Sequence, residues 1–303
     1  MLHETLNGVV DLYRFGSDDD PAPEEVDLFI EIPHGATHTS DFLSVAESLG
    51  GPLPEGLVDF FHVNTDVGAF EVSLRLAELL TSRAPHLTVE IYRCRIPRTF
   101  IDTNRRIDVS IEDYRAGGVT PGIPPWVSDP ADRELLLGRY HAYHGFVEAR
   151  LNGASPTSTL LLLHTYAPRT LDVKVDEDIV ATLRREYEPE RFEAWPLRPE
   201  IEAITTDLDG TSYAPQALLG ALRRELEAAG RLLSESDTYP LHPSTIAYDR
   251  VQAHPGDALC LEIRRDLLAD PFDPFVEMAI SDEKVDAIAT PIARALLSTR
   301  GFP

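Results

Sequence analysis

Two histidines stand directly after short apolar runs of strand-like composition: His34 in PHGATH, after VDLFIEI (26–32), and His164 in HTYAPR, after TLLLL (159–163). Two further runs of the same kind lead into polar clusters. LTVEIYRCRI (87–96) is followed by PRTFIDTNR (97–105), and ALCLEI (258–263) carries Glu262 and is followed by Arg264, Arg265 and Asp266. Imidazole nitrogens and carboxylate oxygens are donors that zinc takes, commonly three from the protein with a fourth position left open for water. His34 and His164 supply two such donors. The third is expected to be a carboxylate, with Asp66 in NTDVGAF first and Glu71 and His38 behind it. Each residue also has a plainer reading. A strand-end histidine is often a hydrogen-bonded structural residue, Asp66 suits a helix N-cap, and His38 in HTSD suits an exposed position.

Positioning these groups requires strands that end together. The four runs are rich in branched and aromatic residues and are bounded by Pro, Gly or Asp, as strands are. TLLLL is apolar throughout, which suits a central strand covered on both faces. Helical spacing marks 66–80, 134–151, 215–229 (Pro215 in its first turn, Gly230 at its end) and 282–297, the last kinked or started by Pro291. Strands alternating with helices predict an α/β fold: a mixed, largely parallel central sheet with helices on both faces. Ligand sites in such sheets gather at the carboxyl ends of the strands, where the polar clusters fall. No composition break divides the chain, so a single domain over 1–303 is expected. The segment 116–130, AGGVTPGIPPWVSDP, reads as a surface loop.

Taken in order, PHGAT, RTFIDTNR, YHAYH, HTYAP and LEIRRDL resemble the motifs of N-formylglutamate amidohydrolase-like proteins. The similarity runs from about Phe29 to Asp266 and lies in ordered co-occurrence, no single motif being diagnostic. The wider zinc carboxypeptidase clan is similar in the same order, at His34, Asn104-Arg105, His164-Thr165-Tyr166 and Glu262-Ile263-Arg264. One departure is plain: carboxypeptidases place a metal-binding Glu three residues after the first His, and here that position is Thr37. The formylglutamate-type branch uses an acidic residue in a segment that aligns with NTDVGAF, which favours Asp66. The resemblance implies a zinc-carboxypeptidase-like fold, one zinc ion, and an amidohydrolase acting on an N-acyl amino acid.

Under that reading Glu262 is the general base that moves a proton from water to the leaving amine. Its alternative is an ion pair with Arg264 or Arg265. Arg105 is the clamp for a substrate carboxylate, because a guanidinium fork accommodates carboxylate with two parallel hydrogen bonds, and Asn104 assists it. Arg98 lines the oxyanion position or pairs with Asp102. Tyr166 approaches from the loop after His164. His144, beside Tyr143 in the YHAYH segment, touches substrate or packs. His242 and His254, in Pro-rich turns, are expected to be exposed, and Tyr248 is a possible aromatic cap.

Composition sets the outer bounds. With 51 acidic against 27 basic residues the net charge is −24, a field that repels a phosphate backbone, so nucleic acid is not an expected partner. No apolar stretch approaches the roughly 20 residues that span a bilayer, and the N-terminus lacks the pattern of a signal peptide. Two separated cysteines, Cys94 and Cys260, exclude a disulfide scaffold and fit a reducing, cytoplasmic compartment. The expected partner is a small-molecule acyl amino acid; oligomeric state is left open. Three alternatives stand beside the amidohydrolase: a carboxypeptidase-like peptidase, a metal-free binder of acidic ligands on the same fold, and a structural protein with satisfied core histidines.

Overall fold

The computed structural model describes residues 2–16, 22–109, 120–254 and 256–299. Eight strands, β1 (Leu2–Leu6), β2 (Val10–Phe15), β3 (Leu28–Ile32), β4 (Val89–Cys94), β5 (Thr159–Tyr166), β6 (Ile201–Ile204), β7 (Leu233–Glu235) and β8 (Ala258–Arg264), form one sheet in the order β1-β2-β4-β3-β5-β8-β6-β7. The central four, β4-β3-β5-β8, run parallel; β1, β2 and β6 join antiparallel to their inner neighbours, and β7 pairs parallel with β6. The expected mixed sheet with a parallel centre is therefore present, extended at both edges by strands the composition did not announce. The first edge is a hairpin turning at Asn7-Gly8, where Gly8 takes φ 69°, a left-handed conformation that favours glycine.

Helices cover both faces. Along β5 the leucines alternate: Leu161 and Leu163 enter one core, while Leu160 and Leu162 enter the other. The first core packs against α3 (Ala69–Arg83), α7 (Gln216–Ala228) and α9 (Asp282–Thr299). The second packs against α1 (Thr39–Ala46), α2 (Leu57–Asn64), α4 (Pro130–Leu151), α5 (Ile179–Glu186) and α8 (Ile246–Ala253). A further short helix, α6 (Pro189–Ala194), precedes β6. Each buried leucine side chain contributes roughly 1.5–3 kcal/mol, so a strand covered on both faces is well anchored.

Local chemistry sets the helix ends. Helix α4 begins at Pro130, earlier than the expected 134, because the Asp129 carboxylate accepts the Ala131 and Asp132 amides and Pro130 occupies the first turn. Helix α3 begins at Ala69 behind Gly68, which leaves Asp66 outside the helix and not at its cap. Pro291 lies inside α9, which runs through it. The loop expected over 116–130 is described only from Thr120. From there to Asp129 it has no regular structure, and it is tied down by Asp102 N donating to Gly122 O (2.7 Å) and by the Trp126 indole donating to Thr99 O (3.1 Å). Among the described residues no helix is long and apolar enough to cross a membrane.

Candidate functional site

At the carboxyl ends of the parallel strands, three buried side chains converge. His34 lies two residues beyond β3, and Asp66 lies in the connection between α2 and α3. His164 lies within β5, which runs three residues further than TLLLL suggested. Asp66 Oδ2 is 3.2 Å from His34 Nδ1 and 2.9 Å from His164 Nδ1. Candidate ligand atoms of the three residues all fall within 4.8 Å of one another. A backbone bond from Asp66 N to His34 O (3.3 Å) fastens the two loops together. Gly68 closes the Asp66 turn with φ 87°, a conformation that favours glycine, and a Cβ there would come 2.6 Å from Leu268 Cδ1, so a larger residue would have to displace that leucine.

Electrostatics matches the crowding. Burial alone would raise the Asp66 carboxyl, yet the His34 and His164 rings hold it well below the usual range. His34 Nε2 donates to Asp102 Oδ1 (2.7 Å), a carboxylate that burial would also raise and that Arg98, His34 and Arg105 together hold low. An imidazole anchored through Nε2 turns Nδ1 toward Asp66, and a carboxylate on the far nitrogen is the arrangement that orients metal-ligating histidines. The donor set of two imidazoles and one carboxylate fits zinc. A further sign is an orphan: His164 Nε2 is buried without a hydrogen-bond partner.

Glu262 stands next to this group. On β8 it is in register with His164 on β5, which puts the two side chains on one face of neighbouring strands. Its Oε2 is buried and without a partner, and no hydrogen bond or salt bridge reaches its carboxylate among the described residues. The ion-pair alternative does not hold. Arg264 bonds Asp266 (2.8 Å) and Arg198 O (3.0 Å), while Arg265 bonds Thr165 and Val63 O and stands 3.7 Å from Asp66. Burial pushes the Glu262 carboxyl up to about 7, opposed by His164, assisted by Asp66, and opposed again by Arg198.

These groups open on a cavity of about 630 Å³. Arg98, Asn104 and Arg105 line it together with His34, Asp66, His164 and Glu262. Arg98 pairs with Asp102, donating to its Oδ2 (2.8 Å), and also lines the cavity. Arg105 donates to Thr120 O and Asn104 O, both at 3.3 Å. Asn104 holds α8 in place, its Oδ1 accepting Ala247 N at 2.9 Å. Much of the remaining wall comes from residues the sequence did not flag: 170–173, 238–241 and Arg198.

Several expected residues lie elsewhere. His144 is buried on α4 behind the site, 3.5 Å from Arg250, and does not line the cavity; burial pushes it down to about 4. Tyr166 also stays off the cavity wall, its hydroxyl donating to Pro199 O (2.8 Å) and its ring lying beneath Arg198. His38 pairs on the surface with Glu277 (2.8 Å), and Glu71 lies on α3 outside the donor group, so of the three candidates Asp66 is the one that joins the histidines. His242 corrects the expectation of exposure: it is 8% exposed, lines the cavity and bonds Ser244 (2.7 Å). His254 is half-buried, and Tyr248 packs against Tyr213 without reaching the cavity.

No protein-family model and no curated protein sequence matches the chain. Solved structures do. An N-formylglutamate amidohydrolase from Ralstonia eutropha JMP134 aligns with TM-score 0.57 and 17% identity over 96% of this chain and 98% of that one. A gene product of Agrobacterium tumefaciens aligns with TM-score 0.52 and 19% identity, covering 96% and 94%. A metallo-carboxypeptidase from Burkholderia cenocepacia gives TM-score 0.43 and 11% identity, covering 96% of this chain and 61% of that one, too loose a likeness to argue from. The chain thus shares the fold of the amidohydrolase structure over nearly its whole length.

Proposed function

We propose that the protein is a metal-dependent hydrolase that cleaves the amide bond of an N-acyl amino acid bearing a carboxylate, a substrate of the N-formylglutamate kind. One observation carries this reading: three buried metal-type donors meet beside a carboxylate, Glu262, that forms no hydrogen bond or salt bridge among the described residues. His34, Asp66 and His164 would hold one zinc ion. When bound, zinc supplies Lewis acidity toward the scissile carbonyl and makes water a nucleophile at neutral pH.

The chain's own residues do the rest. Glu262, lacking a competing partner, takes a proton from the attacking water and delivers it to the amine nitrogen as the C–N bond breaks. Arg98, held by Asp102, faces the developing charge on the carbonyl oxygen. Arg105 binds the amino-acid carboxylate with help from Asn104. Tyr166 acts from outside the cavity by supporting Arg198, and His144 by packing behind the 102–105 segment. One sheet carrying both cores supports a single catalytic domain, and two free buried cysteines fit a cytoplasmic setting. The partner is a small molecule, with neither nucleic acid nor membrane involved.

Elemental analysis of protein purified and supplied with zinc should give one zinc per chain, and His164→Ala should lose it. Glu262→Gln should keep the metal while turnover of N-acyl amino acids falls about 10²- to 10⁴-fold. Wild type that holds no stoichiometric metal ends this proposal and leaves a binder of acidic ligands. Release of the C-terminal residue from an unblocked peptide moves the assignment to a peptidase.

A further inference from the structure

Arg198 is half-buried on the cavity wall and forms no salt bridge among the described residues, in a chain with 51 acidic and 27 basic side chains. Its hydrogen bonds all go to neutral groups, and the carboxylate of Glu262 acts on it only through space. Nε donates to Thr170 Oγ1 (3.0 Å), Nη1 to Ala167 O (3.4 Å) and Nη2 to the Tyr239 hydroxyl (2.7 Å). The guanidinium lies over the rings of Tyr166 and Tyr239, 5.1 and 5.4 Å from their centroids. A guanidinium carries five N–H groups, so donors remain for a ligand. Arg98 differs, because Asp102 already bonds it. A pre-oriented arginine with neutral partners in a cavity is a site for an anion.

Topology gives the direction from which that anion arrives. Across the site the strands run β4-β3-β5-β8-β6. Arg105 follows β4 at one end, and the metal-type donors sit around β3 and β5. Arg198 lies just before β6 at the other end; because β6 is antiparallel to β8, its start falls on the site's edge, where Arg264 donates to Glu200 O and Arg198 O, both at 3.0 Å. Two strand spacings, about 10 Å, separate β5 from β4 on one side and from β6 on the other. A substrate with its amide at the donors and its amino-acid carboxylate at Arg105 therefore extends its acyl group toward Arg198.

We infer that the acyl group itself ends in a carboxylate, a short diacid joined through one end to the amino acid, and that Arg198 reads its free end. This rests on the hydrolase reading. Water adds to the amide carbonyl, the C–N bond breaks, and the products are the free diacid and the amino acid, whose amine keeps the proton passed by Glu262. Arg198 binds and takes no part in the proton transfer.

The test compares kcat/KM for N-succinyl-, N-acetyl- and N-formylglutamate in zinc-supplied protein. Wild type should prefer the succinyl substrate over both others. Arg198→Gln should lower the succinyl-to-acetyl ratio about 10- to 100-fold, the range for hydrogen bonds to a charged group, and Arg198→Lys should restore part of it. Arg105→Gln should depress both substrates and leave the ratio within about twofold. Because the ratio is internal to each preparation, partial misfolding cancels. An unchanged ratio in Arg198→Gln, or a wild type that favours formyl or acetyl, overturns the inference. Calorimetric titration with succinate separates this outcome from failure of the hydrolase reading. If no acyl amino acid is cleaved but succinate binds wild type at least tenfold more tightly than Arg198→Gln, the reaction is wrong and the anion site stands. Equal binding to both, or none to wild type, removes the site.

Discussion

Three glutamates on the same sheet differ in how their carboxylates are satisfied. Glu31, on β3, is saturated: Oε1 accepts the Tyr143 hydroxyl (3.0 Å) and Oε2 accepts Arg250 Nε (3.2 Å). Glu90, on β4, is likewise surrounded, with Arg14, Arg150 and Tyr92 all donating to it. Glu262, two strands from Glu31, has none of this, although its Oε2 is as inaccessible as the others. Burying a charge without a partner costs several kcal/mol. A fold that satisfies two acids and leaves a third unsatisfied next to two histidines has kept that third available for something else. Residue type is alike in all three, but Glu31 and Glu90 are fully buried while Glu262 is half-buried with only its Oε2 sealed from solvent, and the hydrogen-bond inventory separates them further.

The sharpest way to break the contrast is to neutralise each acid in turn. Glu31→Gln should cost about 2–3 kcal/mol in denaturant unfolding, because it removes the buried partner of Arg250, leaves that charge to the half-exposed Glu148 at 3.2 Å, and weakens the Tyr143 bond. Glu262→Gln should leave the unfolding free energy within about 1 kcal/mol of wild type, since no partner is lost. Equal losses would show that Glu262 is a structural acid after all. The next effect is a pH dependence that belongs to the saturated region. His144 faces Glu31, Arg250 and Glu148, and burial sets it at about 4 against 6.5 unperturbed. The unfolded chain binds a proton below about 6.5 and the folded chain resists until about 4. Stability is therefore full above 6.5 and falls by about 3 kcal/mol as pH drops through that window. His144→Gln should flatten this part of the stability curve; an unaltered slope would place the titration elsewhere. Smallest of all is the surface pair His38–Glu277, with both side chains nearly half exposed. Glu277→Gln should cost less than about 1 kcal/mol, and His38→Ala should leave the zinc content at its wild-type level, separating an exposed ion pair from the donor group.

The central strands and the residues at their ends were legible because both signals are local: an apolar run and the polar residues that follow it. Asp66 was legible as a candidate but not as a choice. What selects it over Glu71 and His38 is a backbone bond to His34, a contact between loops that no spacing reveals. Asp102 was read only as a partner for Arg98, four residues away, and its bond to His34 spans 68 positions. Arg198 left no readable signal, since β6, which places it, is four residues long and lacks a periodic pattern. The same reason hid α1, α2, α5 and α8, each of eight residues. The edge hairpin did leave a sign, Asn7-Gly8 between apolar residues, a strong turn signal that a search for catalytic groups passes over.

Gly68 gives the site a mechanical consequence. Leu268, shortly after β8, rests on the bare backbone of the turn that presents Asp66. The segment that follows the strand bearing Glu262 and the loop bearing Asp66 thereby meet through an apolar contact outside the cavity. The separation of Glu262 from Asp66 is thus set in part by the bulk of one leucine.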